Sequence, residues 1–187
     1  MVSTIILGMG LPSAVCYLLM ATLVGPILSD LGIVPLAAHL FIFYFGMMSM
    51  VTPPVALAAY TAAAIAGSRI MPSVFAAFRF ALIGFALPYA FVLRPELLLL
   101  SADGSAAEFI PIMINILITL TGIVALAAAI TGFWFTKVVL WMRIVLLVTA
   151  LVLVLTKSGG ALIWLQVLGV LVFISAGLLN RRVRVDT

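Results

Sequence analysis

Gly8-Met9-Gly10-Leu11-Pro12-Ser13 and Ser49-Met50-Val51-Thr52-Pro53-Pro54 each interrupt a long apolar run, and these two stretches decide the fold. In a helix interior glycine costs about 1 kcal/mol and proline about 3. Two glycines and a proline within 8–12 therefore predict a turn, followed by a helix over 13–28. Pro12 suits the first turn of that helix, where its missing N–H is not needed. Pro53 and Pro54 each remove a donor and push the preceding residue out of helical geometry. As one straight helix the apolar stretch 35–66 would measure about 48 Å, against a hydrocarbon core of about 30 Å. Two half-helices, 36–50 and 55–66, joined by an unwound link are expected instead.

Outward from these breaks the chain stays apolar. It is 67% hydrophobic and 7% charged, where soluble domains carry roughly 25% charged residues. Water would not tolerate that much apolar surface around a single core, and lipid does. Further apolar spans are expected at 72–93, 108–131, 137–156 and 160–179, each uninterrupted. The fold class is all-α, a polytopic membrane protein in contact with the lipid bilayer. Arg69, Lys137, Arg181, Arg182 and Arg184 fall on one side of these spans; Arg94 and Lys157 fall on the other with Asp30, Glu96 and Asp103. The positive-inside rule then puts the C-terminus of this multi-pass protein in the cytoplasm. On that count the turn 29–34 and the loop 94–107 face outward. The basic tail lacks the interleaved aromatics of a nucleic-acid face, so no nucleic-acid partner is expected. Cys16 is the single cysteine, which excludes an internal disulfide and a thiolate metal cluster. The N-terminus does not read as a signal peptide and starts abruptly in an apolar stretch, as if sequence preceded it.

Unwound backbone at membrane depth is tolerated where it is buried in protein or lines a polar cavity. Transporters bind solutes and coupling ions where such discontinuous helices meet: half-helix N-termini offer N–H groups to anions, and unwound carbonyls coordinate sodium. Ser13 and Thr52 add a hydroxyl beside each break. Ordinary proline kinks, frequent in membrane helices, are the other reading.

The residues Gly8-Met9-Gly10-Leu11-Pro12-Ser13, Pro35-Leu36-Ala37-Ala38-His39-Leu40-Phe41 and Phe45-Gly46 through Val51-Thr52-Pro53-Pro54-Val55-Ala56 resemble the C-terminal part of TRAP transporter large permease subunits. The likeness is strongest to the branch in which small and large permease subunits are fused. It covers residues 1–100, the transport region, and leaves 101–187 as additional C-terminal helices with a short basic tail.

What the resemblance implies is a sodium-coupled secondary transporter. It would import a carboxylate-bearing solute, a small organic acid, from a periplasmic substrate-binding protein by an elevator motion. Residues 8–13 would form the tip of a re-entrant hairpin, and 46–54 the unwound part of the following broken helix, with four further transmembrane helices after it. Gly10, Pro12, Ser13 and Pro53 would line the solute, while carbonyls near Gly8 and Gly46 and the Thr52 hydroxyl would hold sodium. Ser13 stands where the family often has threonine. A complete large subunit carries an earlier inverted copy of this unit, and 101–187 repeats neither motif. The remaining part of the permease and a small permease subunit are therefore expected as partners, and the chain alone would be incomplete. No cofactor is implied beyond sodium as coupling ion.

Other polar residues invite blander readings. His39 is expected to pack with one hydrogen bond. Arg79, Arg143 and Lys137 are expected to snorkel to headgroups. Asn115 and Gln166 would bond between helices, and Gly122, Gly132 and Gly169 would permit close helix approach. Trp134, Trp141 and Trp164 are expected as interfacial anchors. Enzyme activity is not expected. The sole histidine cannot build a histidine-based metal site, no two acids share a span, and no Gly-x-Ser-x-Gly elbow accompanies His39. A small structural or assembly subunit is the alternative to transport, and the midplane breaks, which a passive bundle does not need, argue against it.

Overall fold

A computed structural model describes residues 2–8, 11–101, 103–157 and 163–182. Helices dominate it, and among the described residues β pairing is limited to the isolated bridges Leu100–Ala106 and Phe133–Lys137. The chain divides into two compact units, Met1–Val92 and Leu93–Thr187.

In the first unit both expected breaks occur. Helix α1 (Val2–Gly8) stops at Gly8 and α2 (Ser13–Leu23) starts after Pro12. Helix α4 (Pro35–Met48) tightens into a 3-10 turn at Ser49–Val51, and α5 (Leu57–Ile65) begins beyond the two prolines. The helix expected over 13–28 is instead two, α2 and α3 (Gly25–Asp30). Pro26 has no N–H to give the Thr22 carbonyl, and glycine at 25 weakens the same turn. The span expected to run unbroken over 72–93 consists of α6 (Ile70–Gly84) and α7 (Ala86–Leu93), with a turn at Phe85. Pro88 withholds its donor from Gly84 in the same way.

Packing in this unit centres on α4. Cys16, Met20 and Ile42 form one buried cluster between α2 and α4. Phe45 is fully buried, in edge-on ring contacts with Phe41, Phe85 and Tyr89 at centroid distances of 4.9, 5.7 and 5.8 Å. Ala56, Ala59 and Val74 join α5 to α6. His39 is exposed and its Nδ1 lies 3.1 Å from the Tyr17 hydroxyl, the single bond expected of it.

In the second unit, a 3-10 turn (Pro95–Leu98) leads through the hairpin-like loop 99–107 to α8 (Phe109–Thr131), α9 (Leu140–Leu155) and α10 (Ile163–Arg182). In the loop the Ser105 hydroxyl and amide both donate to the Asp103 carboxylate. Those bonds, the hydroxyl's first, hold its carboxyl below the usual carboxylate range. Helices α8 and α9 meet at Gly122: a Cβ there would lie 2.8 Å from Val154 Cγ2 and 3.1 Å from Leu153 Cβ. Gly169 of α10 approaches Leu153 from the other side, where a Cβ would lie 3.0 Å from its Cδ2. Gly132 has a different role from the one expected: at φ 72° it ends α8 in the left-handed conformation.

Three charged or aromatic residues also depart from expectation. Arg94, at the start of the 94–107 loop, is not solvated but fully buried. It donates to Thr119 Oγ1 (3.0 Å) and to the carbonyls of Leu153 and Thr156 at the end of α9. Arg143 does not simply snorkel, since its Nε and Nη2 donate to the Ala129 and Ile130 carbonyls at the end of α8 (2.9 and 3.2 Å). In both cases exposed carbonyls at a helix C-terminus attract a cation. Trp134 is half-buried, with its ring centroid 5.6 Å from Phe135 and 4.7 Å from Phe173. Trp141 and Trp164 are exposed by 58% and 76%.

Among the described residues three helical stretches are long and apolar enough to cross a membrane: α6 with α7 (Ile70–Leu93), Phe109–Thr131 and Ile163–Arg181. Helix α9, expected over 137–156, has 16 residues. It starts late because the turn before it is tied to α10: the Phe135 and Thr136 N–H groups both donate to Asn180 Oδ1 at 3.1 Å. Leucine, isoleucine and phenylalanine side chains such as Leu18, Ile65, Phe80, Leu117 and Leu168 are exposed by more than half. Such a surface belongs in lipid. The protein is an all-α polytopic membrane protein.

Candidate functional site

The two interruptions meet. A Cβ built on Gly8 would lie 2.5 Å from Ser49 Oγ and 2.8 Å from Ser49 Cβ, so only glycine lets the end of α1 sit against the 3-10 turn. Cys16 Sγ is 3.3 Å from that same point. It is also 3.7 Å from the corresponding point on Gly46, which lies 4.0 Å from the Ser13 carbonyl oxygen. Gly8, Ser13, Cys16, Gly46 and Ser49 thus form one neighbourhood at the end of α1, the start of α2 and the end of α4. Cys16 itself is held by a thiol contact to the Thr4 carbonyl (3.4 Å).

Proline chemistry explains which oxygens this arrangement releases. In a helix the carbonyl of residue i accepts from the N–H of i+4, or of i+3 in a 3-10 turn. Gly8 would pair with residue 12, which is proline. Met50 would pair with residue 53 or 54, and both are proline. The Met50 carbonyl therefore has no helical donor, and the Gly8 carbonyl has no α-helical one. Ser49 escapes the same fate because the Thr52 N–H reaches its carbonyl at 3.2 Å.

Hydroxyls are oriented by the carbonyls that remain. Ser49 Oγ donates to the Gly46 carbonyl (2.6 Å) and Thr52 Oγ1 to the Met48 carbonyl (2.7 Å). A hydroxyl that donates its proton in this way keeps its lone pairs for another partner. Thr52 is extended at φ −97°, ψ 125°, and 8% exposed. Its own carbonyl accepts from Ala56 N–H at 3.1 Å. Ala56, fully buried, adopts the left-handed conformation (φ 42°) and caps α5. The Pro53–Pro54 peptide bond is cis.

The residues singled out in the sequence fall as follows. Gly8 and Gly46 are buried and near neighbours through Cys16. Ser13 opens α2 with its carbonyl towards Gly46, while Pro12, its N-cap, is exposed. Thr52 and Pro53 follow the 3-10 turn, with Thr52 bonded inside its own segment. Gly10 lies outside the described residues. Ser49 and Met50 are the residues that sequence reasoning passed over. Met50 was identifiable from its spacing to both prolines; the approach of Ser49 to Gly8 is a tertiary contact with no local signature.

No acidic residue occurs in 1–29 or in 35–66, so the oxygens that these two segments offer are neutral. Carbonyl and hydroxyl oxygens are hard ligands suited to hard cations. Among the described residues no three His, Cys, Asp or Glu side chains cluster to hold a metal.

A family model described as "Tripartite ATP-independent periplasmic transporter, DctM component" matches residues 1–106. That is more than half of the 187-residue chain and includes both interruptions. No curated protein and no solved structure gives a significant match.

Proposed function

The chain belongs to the DctM family, the large permease component of TRAP transporters, and from that premise we propose that it forms part of a sodium-coupled importer of carboxylate-bearing solutes. The observation that carries the reading is the meeting of Gly8 with Ser49, which joins two backbone interruptions whose prolines deny the Met50 carbonyl a helical donor and the Gly8 carbonyl an α-helical one. Sodium is held in this proposal by carbonyls near Gly8 and Gly46 and by the Thr52 hydroxyl. The solute carboxylate lies near Gly10, Pro12, Ser13 and Pro53, with N–H groups left unpaired at the start of α2 and α5.

The chain works with the remaining part of the permease and a small permease subunit in the cell inner membrane, and a periplasmic binding protein delivers the solute. Residues 1–100 act as the transport region, and 101–187 as further helices beside it. The C-terminus is cytoplasmic in this arrangement.

Sodium-dependent uptake by the complete transporter tests the proposal. Thr52→Ala removes one oxygen ligand, and its loss weakens the apparent sodium affinity by about tenfold, equivalent to about 1.4 kcal/mol. Ser13→Ala acts on solute affinity with a smaller effect on sodium. Unchanged sodium dependence in Thr52→Ala would remove that residue from the site.

A further inference from the structure

At one end of the second unit cations gather with no anion to meet them. Lys137 lies between α8 and α9, Arg143 in the first turn of α9, and Arg181 in the last turn of α10. Arg143 is engaged by the carbonyls that end α8. Lys137 and Arg181 are exposed. No acidic residue occurs between Glu108 and Asp186. The carboxylates of Glu96, Asp103 and Glu108 precede α8, whose 23 residues carry the chain about 33 Å to Thr131. Exposed charges farther apart than about 10 Å are largely screened from one another. Among the described residues, therefore, no carboxylate of this unit neutralises the pair.

Hydrogen bonds bring together the backbones that carry these two cations. The Phe135 and Thr136 N–H groups donate to Asn180 Oδ1 at 3.1 Å each, and the Thr136 hydroxyl donates to the Asn180 carbonyl at 3.2 Å. Lys137 and Arg181 are the next residues along from this clasp, one on the turn and one on α10. Phe133, Val139, Leu140 and Trp141, on either side of Lys137, are each exposed by more than half. Large apolar side chains beside exposed cations, a tryptophan among them, belong at the depth of the lipid headgroups. The anion present at that depth is a lipid phosphate. We propose that Lys137 and Arg181 form a site for an anionic phospholipid, with the headgroup phosphate held between the two cations. An ethanolamine headgroup brings a cation of its own, which the pair repels; a glycerol headgroup brings none. Both residues lie beyond 1–106, so the site stands apart from the solute and sodium reading.

Native mass spectrometry of the full chain in detergent tests this, with phosphatidylglycerol and phosphatidylethanolamine of identical acyl chains in competition. Each cation near an anionic headgroup is worth about fivefold in affinity, so the glycerol lipid should be retained over the ethanolamine lipid by about tenfold or more. Lys137→Gln combined with Arg181→Gln should remove that preference. Arg69→Gln combined with Lys157→Gln takes the same charge from other exposed positions and should leave it in place. Asn180→Ala keeps both cations but releases the clasp, and should reduce the preference at unchanged helix content. Equal retention of the two lipids by the parent chain overturns the proposal, as does a preference that survives Lys137→Gln with Arg181→Gln. An equal loss in the Arg69 and Lys157 variant would trace the effect to net charge and remove the site. Displacement of the lipid by excess inorganic phosphate would assign the pair to a soluble anion, and also overturns it.

Discussion

Gly8 and Ser49 show how one missing methyl decides the approach of two chain segments. Alanine at 8 would push a Cβ to 2.5 Å from Ser49 Oγ, and Ser49 is pinned by its bond to the Gly46 carbonyl. Overpacking of this kind costs about 1–3 kcal/mol. Gly8→Ala should therefore lower the thermal midpoint of the purified permease and reduce uptake. Ser49→Gly in the same chain removes the colliding atoms and should recover part of both. Equal stability of Gly8→Ala and the parent would mean that the two segments do not touch. Arg94 is the second residue whose surroundings set its role. Its planar fork serves two carbonyls at the end of α9 together with the Thr119 hydroxyl. Lysine keeps the charge and loses the fork. Arg94→Lys should cost about 2 kcal/mol, read as a drop in the thermal midpoint, and a midpoint equal to the parent's would assign the stabilisation to charge alone.

Elements in this chain end where proline or glycine requires, and that is why much of their layout was legible. Pro12 and the Pro53-Pro54 pair fall between the helices they separate, α1 from α2 and α4 from α5. The same rule applied to Gly25-Pro26 and to Pro88 would have found the turns at Val24 and Phe85; the long apolar stretches around them masked the signal. The burial of Arg94 and the capping by Arg143 were not legible, because both depend on carbonyls at the end of another helix, α9 for Arg94 and α8 for Arg143. For the candidate site, the glycines and Thr52 were readable from motif and spacing. The contact that unites the breaks was not, since nothing local to Ser49 announces Gly8. Helix-to-helix approach followed small residues as expected at Gly122 and Gly169. Gly122→Val would collide with Val154 and Leu153, and should destabilise the second unit by about 1–3 kcal/mol. Increased protease sensitivity after residue 93 would report it; wild-type resistance would show that α8 and α9 do not pack there.

At the scale of the whole molecule, an apolar exterior and the family match place the chain in a membrane as a TRAP permease component. The polar content is spent inside: Arg94, Asn115, Thr119 and Gln166 are buried in the second unit, and Thr4, Ser49 and Thr52 in the first. In the first unit buried hydroxyls adjoin broken backbone, which is where the proposed coupling ion would bind. Sodium stabilisation of the purified, complete permease tests this most directly. The thermal midpoint is followed as sodium chloride replaces potassium chloride at constant ionic strength. A ligand that binds the folded state alone raises the midpoint in proportion to its occupancy. Sodium should raise it where potassium does not, with the rise shifted to about tenfold higher sodium in Thr52→Ala and unchanged in His39→Ala. Equal effects of the two salts, or a sodium response in Thr52→Ala identical to the parent's, would contradict a sodium site where the two breaks meet.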